Sequence, residues 1–520
     1  MMVKRRARTL MFLGTGSDVG KSVLAAAFCR IFKQDGLRVA PFKAQNMALN
    51  SYITPEGGEM GRAQVVQAEA AGIEPHVDMN PILLKPTSTM GSQVIVLGKA
   101  VGNLSAKDYY ATKKRLVPVV REAFERLSKR YDIVVLEGAG SAVELNLKEH
   151  DLVNLAMARM ARAPSILVGD IDRGGIFAAL LGSYMLMDPD EQDLLAGFMV
   201  NKLRGDPDLF TSGVDILEAR SGKPVLGVVP HFDHIALPEE DSVALGRRMG
   251  RRSPADSDGK LALGVVRLPF LSNYTDFDCF EHDPGVELAY FDQPGDVFRF
   301  DAVVLPGSKN TLEDMLALER SGMADAVRAY FKAGGVVVGI CGGYQMLGER
   351  ITDPHGVESR VRETPGLGLL PMATEMAWEK VTTQVMARLH PDNRLGGRDL
   401  SPSKLLHGYE IHMGRSRPLA EGVRACFRIL SRNGRDVSTA DADDGLSSTD
   451  GRVWGTYIHG IFDNDAFRRA FLSFLEERSH KRARPEIVNY GRWKEAQYDL
   501  LADHVRSHCD MERIYRIVGI

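Results

Sequence analysis

The chain has 520 residues, more than one hydrophobic core usually holds, so we expect at least two domains. Its net charge of −3 and its 44% hydrophobic residues are ordinary for a globular protein and favour neither nucleic acid nor a membrane surface as a partner. Five scattered cysteines form no CxxC pair, which argues against a disulfide framework and a zinc site and fits a reducing cytoplasm. No stretch approaches the roughly 20 apolar residues of a membrane span.

The first half of the chain alternates between short apolar segments and helical segments. Helical patterns cover residues 106–129 and 150–161, among others. The predicted strands are residues 9–13, 38–42, 133–136, 165–169, 197–200 and 225–229. Continuous apolar strands separated by helices predict βαβ units and a parallel sheet, which we place in a first domain at residues 1–245.

A polar segment at residues 246–260 follows and carries no hydrophobic periodicity, so we interpret it as a linker. Its four arginines (Arg247, Arg248, Arg251 and Arg252) could form a binding patch, but a solvated linker is the favoured interpretation.

A second α/β domain is predicted at residues 261–480. Its strands are residues 261–266, 302–305, 336–340, 424–429 and 453–458, and residues 434–451 are predicted to form an exposed loop. The tail at residues 481–520 is predicted to be helical and amphipathic. Its buried face is predicted to hold Leu500, Leu501, Val505 and Ile514.

A glycine-rich loop joins the first strand to the first helix. It consists of Gly14, Thr15, Gly16, Ser17, Asp18, Val19, Gly20, Lys21 and Ser22. Backbone N–H groups and the positive end of the helix dipole stabilise phosphate at such a turn. Lys21 can reach the β- and γ-phosphates, and the Ser22 hydroxyl can ligate Mg²⁺. The match to GxxxxGK[ST] is imperfect, since Thr15 stands at the first glycine position; the alternative is a structural strand–helix turn.

This loop resembles that of the dethiobiotin-synthetase-like family of P-loop enzymes. The resemblance implies that Glu137, at the end of a predicted strand, is a Mg²⁺ ligand and that Lys43 is a second active-site lysine. It also implies that Asn201 lies in the segment that contacts adenine. A solvated Lys43 is the alternative. Asp170 and Asp172 either line this site or cap a turn, and the sequence does not decide between these interpretations.

The second domain carries an apolar strand that ends in Gly-x-Cys-x-Gly, with Cys341 at its centre. This is the cysteine counterpart of the strand-to-helix turn that presents a nucleophile, and a following helix N-terminus favours the thiolate. A cysteine nucleophile needs a base. His459, at the end of the strand 453–458, is the best placed; His407 and His412 are its competitors.

These features resemble class I glutamine amidotransferase domains, whose triad contains a glutamate two residues after the histidine. That position is Ile461 here, a lack that the cobyrinic-acid type of the class shares. A backbone carbonyl or another carboxylate must then orient His459. Residues 305–309 resemble the oxyanion loop of the class, which implies that the N–H groups of Gly307 and Gly342 stabilise the tetrahedral intermediate. The expected fold is therefore α/β with two doubly wound domains, one P-loop NTPase-like and one amidotransferase-like.

Several strings spread over both domains resemble the cobyric acid synthase family. They are PFKAQNMALNS (41–51), GGEMGRAQ (57–64), MNPILLKP (79–86), GDIDRGGIFA (169–178), NKLRGD (201–206) and HGYEIHMG (407–414). The resemblance implies amidation of the b, d, e and g carboxylates of adenosylcobyrinic acid a,c-diamide, with ATP, Mg²⁺ and L-glutamine. The alternatives are an a,c-diamide synthase and a non-catalytic, nucleotide-switched scaffold.

Overall fold

The computed structural model describes residues 6–88, 91–238, 259–391, 393, 395, 401, 403–479, 481 and 488–520. The predicted linker and its four arginines therefore lie outside the described residues, apart from residues 259 and 260. The chain divides into two compact units. The first unit comprises Met1–Ala48, Glu59–Pro238 and Arg492–Ile520, and the second comprises Leu49–Gly58 and Glu239–Gly491.

The elements before residue 239 are numbered in chain order. The strands are β1 (Arg8–Gly14), β2 (Val39–Phe42), β3 (Gln45–Met47), β4 (Ser51–Ile53), β5 (Glu59–Gly61), β6 (Ile82–Ser88), β7 (Gly91–Val96), β8 (Lys99–Ser105), β9 (Ile133–Glu137), β10 (Ser165–Asp170), β11 (Leu195–Leu203) and β12 (Val225–Pro230). The helices are α1 (Lys21–Gln34), α2 (Arg62–Ala71), α3 (Ala106–Arg130), α4 (Leu155–Ala161), α5 (Ile176–Met185), α6 (Pro189–Leu194) and α7 (Thr211–Ser221).

Six of these strands form one parallel sheet in the order β12-β11-β10-β1-β9-β2. All six were predicted, because a strand covered on both faces is a continuous apolar run. Strand β1 lies inside the sheet between β9 and β10, so the loop that follows it faces the ends of both neighbours. The predicted helix at 150–161 is shorter than expected, since α4 starts at Leu155 and a 3-10 helix (Leu145–His150) precedes it.

A second sheet of the first unit, in the order β3-β6-β7-β8, was not predicted. Its strands β6, β7 and β8 pair antiparallel. Strand β8 is largely exposed, so it carries little of the hydrophobic pattern by which strands are recognised.

The elements after residue 258 continue the numbering. The strands are β13 (Leu261–Val266), β14 (Val286–Phe291), β15 (Ala302–Leu305), β16 (Val336–Ile340), β17 (Arg350–Thr352), β18 (Glu363–Pro365), β19 (Met372–Leu389), β20 (Leu406–Pro418), β21 (Val423–Arg432), β22 (Arg435–Asp436), β23 (Asp443–Ser448), β24 (Val453–Thr456) and β25 (Ile458–His459). The helices are α8 (Asp278–Glu281), α9 (Thr311–Ser321), α10 (Met323–Lys332), α11 (Gly342–Met346), α12 (Asp465–Ser479), α13 (Tyr490–Arg506) and α14 (Met511–Val518).

The second unit contains a mixed sheet whose parallel part has the order β14-β13-β15-β16-β24. The sheet continues through β23, β21 and β19 by antiparallel pairs. The predicted exposed loop at 434–451 is wrong, because it contains β22 and β23 and its Asp444 is 5% exposed. Both units are thus α/β with a parallel sheet, as predicted.

Two segments belong to units to which the predicted domain boundaries did not assign them. Residues 49–58, from the first half of the sequence, belong to the second unit, and residues 492–520 belong to the first. Helices α13 and α14 share one hydrophobic core with α1. At its edge, the Arg30 guanidinium contacts the Glu495 carboxylate at 2.8 Å and the Asp499 carboxylate at 2.7 Å. Within the ranges described above, no helix combines the length and the hydropathy that a membrane span needs.

The tail helix α13 buries Leu501 completely, whereas its neighbour Leu500 is 43% exposed and was wrongly assigned to the buried face. Leu501→Ala is expected to lower the free energy of unfolding by about 2–5 kcal/mol, because it leaves a cavity in the core of the first unit. Leu500→Ala is the matched control and should stay within about 0.5 kcal/mol. Urea unfolding measures both, and equal effects would contradict this packing.

Candidate functional site

The phosphate loop of the first unit closes tightly over the start of α1. Gly20 has φ 100°, and a Cβ there would lie 2.1 Å from the Asn201 amide nitrogen, so only glycine fits. Lys21 is 6% exposed, and its Nζ donates to the carbonyls of Gly16 at 2.7 Å and Gly140 at 2.9 Å. The lysine therefore links the loop to the segment after β9. We expect a bound phosphate group to contact the loop and this lysine.

Residues at the end of β11 support the other side of this loop. The Asn201 amide donates to the Val19 carbonyl at 2.9 Å, and the Lys202 ammonium donates to the Asp18 carbonyl. Asn201 thus holds the loop backbone, and its contact with adenine stays a prediction.

The Glu137 carboxylate, at the end of β9, collects the polar groups of the candidate nucleotide site. Its Oε1 accepts from Ser22 Oγ at 2.7 Å and from Lys43 Nζ at 2.8 Å, and its Oε2 accepts from Gln67 Nε2 at 2.6 Å. Burial alone would raise the pKa of Glu137, but the Lys43 charge and the hydrogen bonds from Lys43, Ser22 and Gln67 lower it below its ordinary value. Lys43 is 6% exposed, so the solvated alternative is wrong.

Gln67 is a member of this cluster that the sequence did not single out. It lies on α2, and its side chain is completely buried. No sequence motif singles out Gln67, and only the packing of α2 brings its amide to the end of β9.

The oxygen ligands in this cluster fit Mg²⁺. Ser22 supplies a hydroxyl and Glu137 a carboxylate, and Mg²⁺ prefers such oxygens together with water and substrate phosphates over a cage made wholly of protein groups.

Asp170 and Asp172 follow β10 at the same edge of the sheet. The Asp170 carboxylate accepts from Lys202 Nζ at 2.8 Å and from the Asp172 backbone N–H at 3.0 Å, while Asp172 binds Arg204 at 2.7 Å. Gly175, not an aspartate, is the N-cap of α5. These contacts support a carboxylate-capped turn that precedes the helix.

In the second unit, Cys341 lies at the turn between β16 and α11. Its backbone has φ 52° and ψ −106°, a strained combination for a residue other than glycine. The turn is fixed by a hydrogen bond from the Cys341 N–H to the Thr456 carbonyl of β24, at 2.8 Å. It also requires glycine at position 343, where a Cβ would lie 1.9 Å from the Leu305 carbonyl oxygen. Strain of this kind is typical of a nucleophile elbow.

Three of the other cysteines are buried more completely than Cys341, which is 6% exposed. Cys29, Cys279 and Cys426 are completely buried, and burial raises the pKa of each thiol well above its ordinary value. They are therefore inert core residues at neutral pH.

His459, at the end of β25, is held by a carboxylate. Its Nδ1 donates to Asp276 Oδ2 at 2.6 Å, and Asp276 Oδ1 accepts from the Gly460 N–H at 2.9 Å. Burial alone would lower the pKa of His459. The negative charges of Asp276 and Cys341, together with hydrogen bonds to both, outweigh burial and raise the pKa to about 10. The structure therefore brings Cys341, His459 and Asp276 together.

Asp276 is the carboxylate that the sequence left unidentified. It lies in a 3-10 helix (Tyr274–Phe277), 183 positions before His459. Ile461, at the position of the usual glutamate, is 1% exposed and belongs to the apolar interior. No local sequence pattern identifies Asp276, because only the fold brings a carboxylate so distant in sequence from His459 to the histidine ring.

The two competing histidines have other surroundings. His407 is exposed. The His412 ring stacks on Tyr457 with centroids 3.8 Å apart, and its Nδ1 donates to the Gly414 carbonyl at 2.8 Å. His459, in contrast, lies beside both the Asp276 carboxylate and the Cys341 thiol.

The predicted oxyanion glycines lie close to these residues. A Cβ at Gly307 would lie 3.3 Å from the His459 ring carbon Cε1, and one at Gly342 would lie 2.8 Å from the Ser308 backbone nitrogen. Side chains at either position would fill the space beside His459 and Ser308. The two N–H groups as oxyanion donors stay a prediction.

Both halves of the chain are similar to known proteins. Residues 10–243 match the CobQ/CobB/MinD/ParA nucleotide binding domain, and residues 262–467 match the CobB/CobQ-like glutamine amidotransferase domain. The cobyric acid synthase of Syntrophobacter fumaroxidans is 70% identical over 519 residues, which cover 99% of each chain. That of Moorella thermoacetica is 49% identical and covers 99% of this chain and 98% of its own. The chain therefore belongs to the cobyric acid synthase family and shares its nucleotide-binding and glutamine amidotransferase domains.

Proposed function

We propose that the chain amidates the b, d, e and g carboxylates of adenosylcobyrinic acid a,c-diamide, using L-glutamine as the nitrogen donor and ATP with Mg²⁺. The observation that carries the proposal is the presence, in one chain, of a Cys341–His459–Asp276 group and a buried Lys43–Glu137 group beside a phosphate loop. We assign the reaction to the cytoplasm, where the Cys341 thiol stays reduced.

The glutaminase half of the proposed reaction starts at Cys341. Its sulfur attacks the side-chain amide carbon of glutamine, and the N–H groups of Gly307 and Gly342 stabilise the oxyanion. His459 gives a proton to the leaving nitrogen, which departs as ammonia, and then takes a proton from the water that cleaves the thioester to glutamate. Asp276 accepts from Nδ1 throughout, which keeps the other ring nitrogen directed at the reaction.

The synthetase half activates the acceptor. A corrinoid carboxylate oxygen attacks the γ-phosphorus of ATP, and ADP leaves. Ammonia then attacks the acyl carbon of the acyl phosphate, and phosphate leaves as the amide forms. Lys21 and Lys43 offset the negative charge that gathers on the phosphoryl group. Ser22 and Glu137 would hold Mg²⁺, whose charge would further neutralise the phosphates.

Incubation of the purified chain with amide-¹⁵N-labelled glutamine, ATP, Mg²⁺ and the a,c-diamide tests the proposal. We expect mass spectrometry to detect four successive ¹⁵N-amides on the corrinoid. Activity on cobyrinic acid itself, with no reaction of the a,c-diamide, would instead identify an a,c-diamide synthase. ATP binding without amidation of either acceptor would favour the scaffold alternative.

Asp276→Asn is expected to lower kcat for glutamine hydrolysis by about 10²–10⁴-fold, since the amide no longer stabilises the protonated imidazole. Amidation from added ammonia should persist, because the change does not touch the synthetase site. Loss of both activities in a folded variant would contradict the role of Asp276.

The same variant predicts a pH dependence of stability. The pKa of His459 rises from 6.5 to about 10 on folding, so its contribution to stability is complete below pH 6.5 and is lost as the pH rises through about 10. Without Asp276, its charge and hydrogen bond no longer raise this pKa, and that part of the contribution to stability disappears. The difference in unfolding free energy between wild type and Asp276→Asn should therefore be largest below pH 6.5 and shrink towards pH 10. Urea unfolding across this range measures it.

A further inference from the structure

Residues 50–53 come from the first half of the sequence but belong to the second unit. Asn50 and Ser51 are each 1% exposed, so this short segment is buried rather than laid on the surface. It carries no group that the proposed reaction uses, and its burial therefore calls for another role.

One set of contacts joins the segment to the turn that holds Asp276. Asn50 Oδ1 accepts from the Tyr274 N–H at 3.2 Å, and the Ser51 carbonyl accepts from the Asn273 amide at 3.1 Å. Asn273 has φ 54° and is the N-cap of the 3-10 helix that contains Asp276. The segment thus holds the first residues of this helix in place, next to Asn273, whose backbone is in the left-handed region.

A second set joins it to the aromatic ring that covers His459. Tyr409 stacks on His459 with ring centroids 5.2 Å apart and planes 18° apart. The Tyr409 hydroxyl donates to the Ser51 carbonyl at 3.3 Å, and the Tyr52 ring meets Tyr409 edge-on at 5.0 Å. Ile53 belongs to the same small core as Tyr409. The carboxylate on one side of His459 and the ring against it therefore both rest on residues 50–53.

We propose that residues 50–53 are a positioning element of the glutaminase, which acts on His459 through Asp276 and Tyr409. The inference rests on the proposed function of Cys341 and His459. A displacement of about 1 Å at a catalytic group can cost about 10²-fold in rate, so loss of these supports reduces turnover although none of them touches substrate.

Asn50→Ala in the full-length chain tests the proposal, with Glu56→Ala as the control, because Glu56 follows the segment within residues 49–58 of the second unit and is exposed. Tyr409→Phe is a second variant, which removes the hydroxyl that binds Ser51 and keeps the ring on His459. We expect both test variants to lower kcat for glutamine hydrolysis by about tenfold or more, with little change in KM, and to shift its pH profile as the pKa of His459 falls. Amidation from ammonia and the Glu56→Ala variant should match wild type.

Thermal unfolding identifies any variant that does not fold. If Asn50→Ala does not fold, the Tyr409→Phe variant alone tests the proposal. Wild-type kcat and pH profile in the folded variants would overturn the proposal, as would an equal loss of ammonia-dependent amidation. A failure of the proposed function gives a different result from a failure of the positioning role. If Cys341 is not the nucleophile, the Cys341→Ser variant still hydrolyses glutamine. If Cys341→Ser abolishes hydrolysis while the two test variants match wild type, only the positioning role is refuted.

Discussion

Cys341→Ser is expected to reduce glutamine hydrolysis and glutamine-dependent amidation by at least about 10³-fold, while amidation from added ammonia survives. Serine is close in size to cysteine, so the strained turn at φ 52° should persist. The hydroxyl, however, does not ionise as a thiol does, and the protonated His459 beside it cannot withdraw its proton. Assays of glutamate release and of amide formation, each with glutamine or ammonium chloride, separate the two activities.

Cys509→Ser is the control for this prediction, since it makes the same replacement at a partly buried cysteine of the first unit. It should leave both activities near wild type. Equal glutamine-dependent synthesis in the Cys341→Ser variant and wild type would mean that Cys341 is not the nucleophile. Loss of the ammonia-dependent reaction as well, in a folded variant, would mean that the cysteine also serves the synthetase reaction.

Lys21→Ala is expected to affect the synthetase reaction and not glutamine hydrolysis, in contrast to Cys341→Ser. Amidation should fall by at least about 10²-fold with either nitrogen source. Lys21 is the cation on the phosphate loop, and its ammonium lies between the carbonyls of Gly16 and Gly140, where it would meet the transferring phosphoryl group. Ammonia cannot bypass this step, because the carboxylate must be activated whatever the nitrogen source. ATP binding should weaken as well. Glutamine hydrolysis needs no ATP in the proposed mechanism and should persist.

Lys33→Ala is the matched control, since Lys33 lies in the last turn of the same helix and its side chain is 36% exposed. It should retain both activities and the affinity for ATP, which isothermal titration calorimetry measures. Ammonia-dependent amidation at the wild-type rate in Lys21→Ala would remove the phosphate loop from the reaction. The cysteine and lysine variants together separate nitrogen release from carboxylate activation.

The sequence by itself determined the features that are local in the chain. The central strands β1, β9, β10 and β16 were predicted because a buried strand is a continuous apolar run. The phosphate loop and the Cys341 elbow were predicted because each is one strand, one turn and one helix in succession. His459 was identified by its place at a strand end, and the short strings of both domains identified the family.

Only the tertiary structure decided the partners of these residues. Asp276 and Gln67 complete their sites through contacts across many intervening residues, which no spacing rule encodes. The tail helices joined the core of the first unit, and burial along α13 follows that packing, so Leu501 is buried and Leu500 is not. Residues 50–53 likewise pack beside the supports of His459. The local sequence pattern specifies whether a helix or a strand forms. The elements against which it packs are decided by the free energy of burying it against surfaces that are distant in the chain.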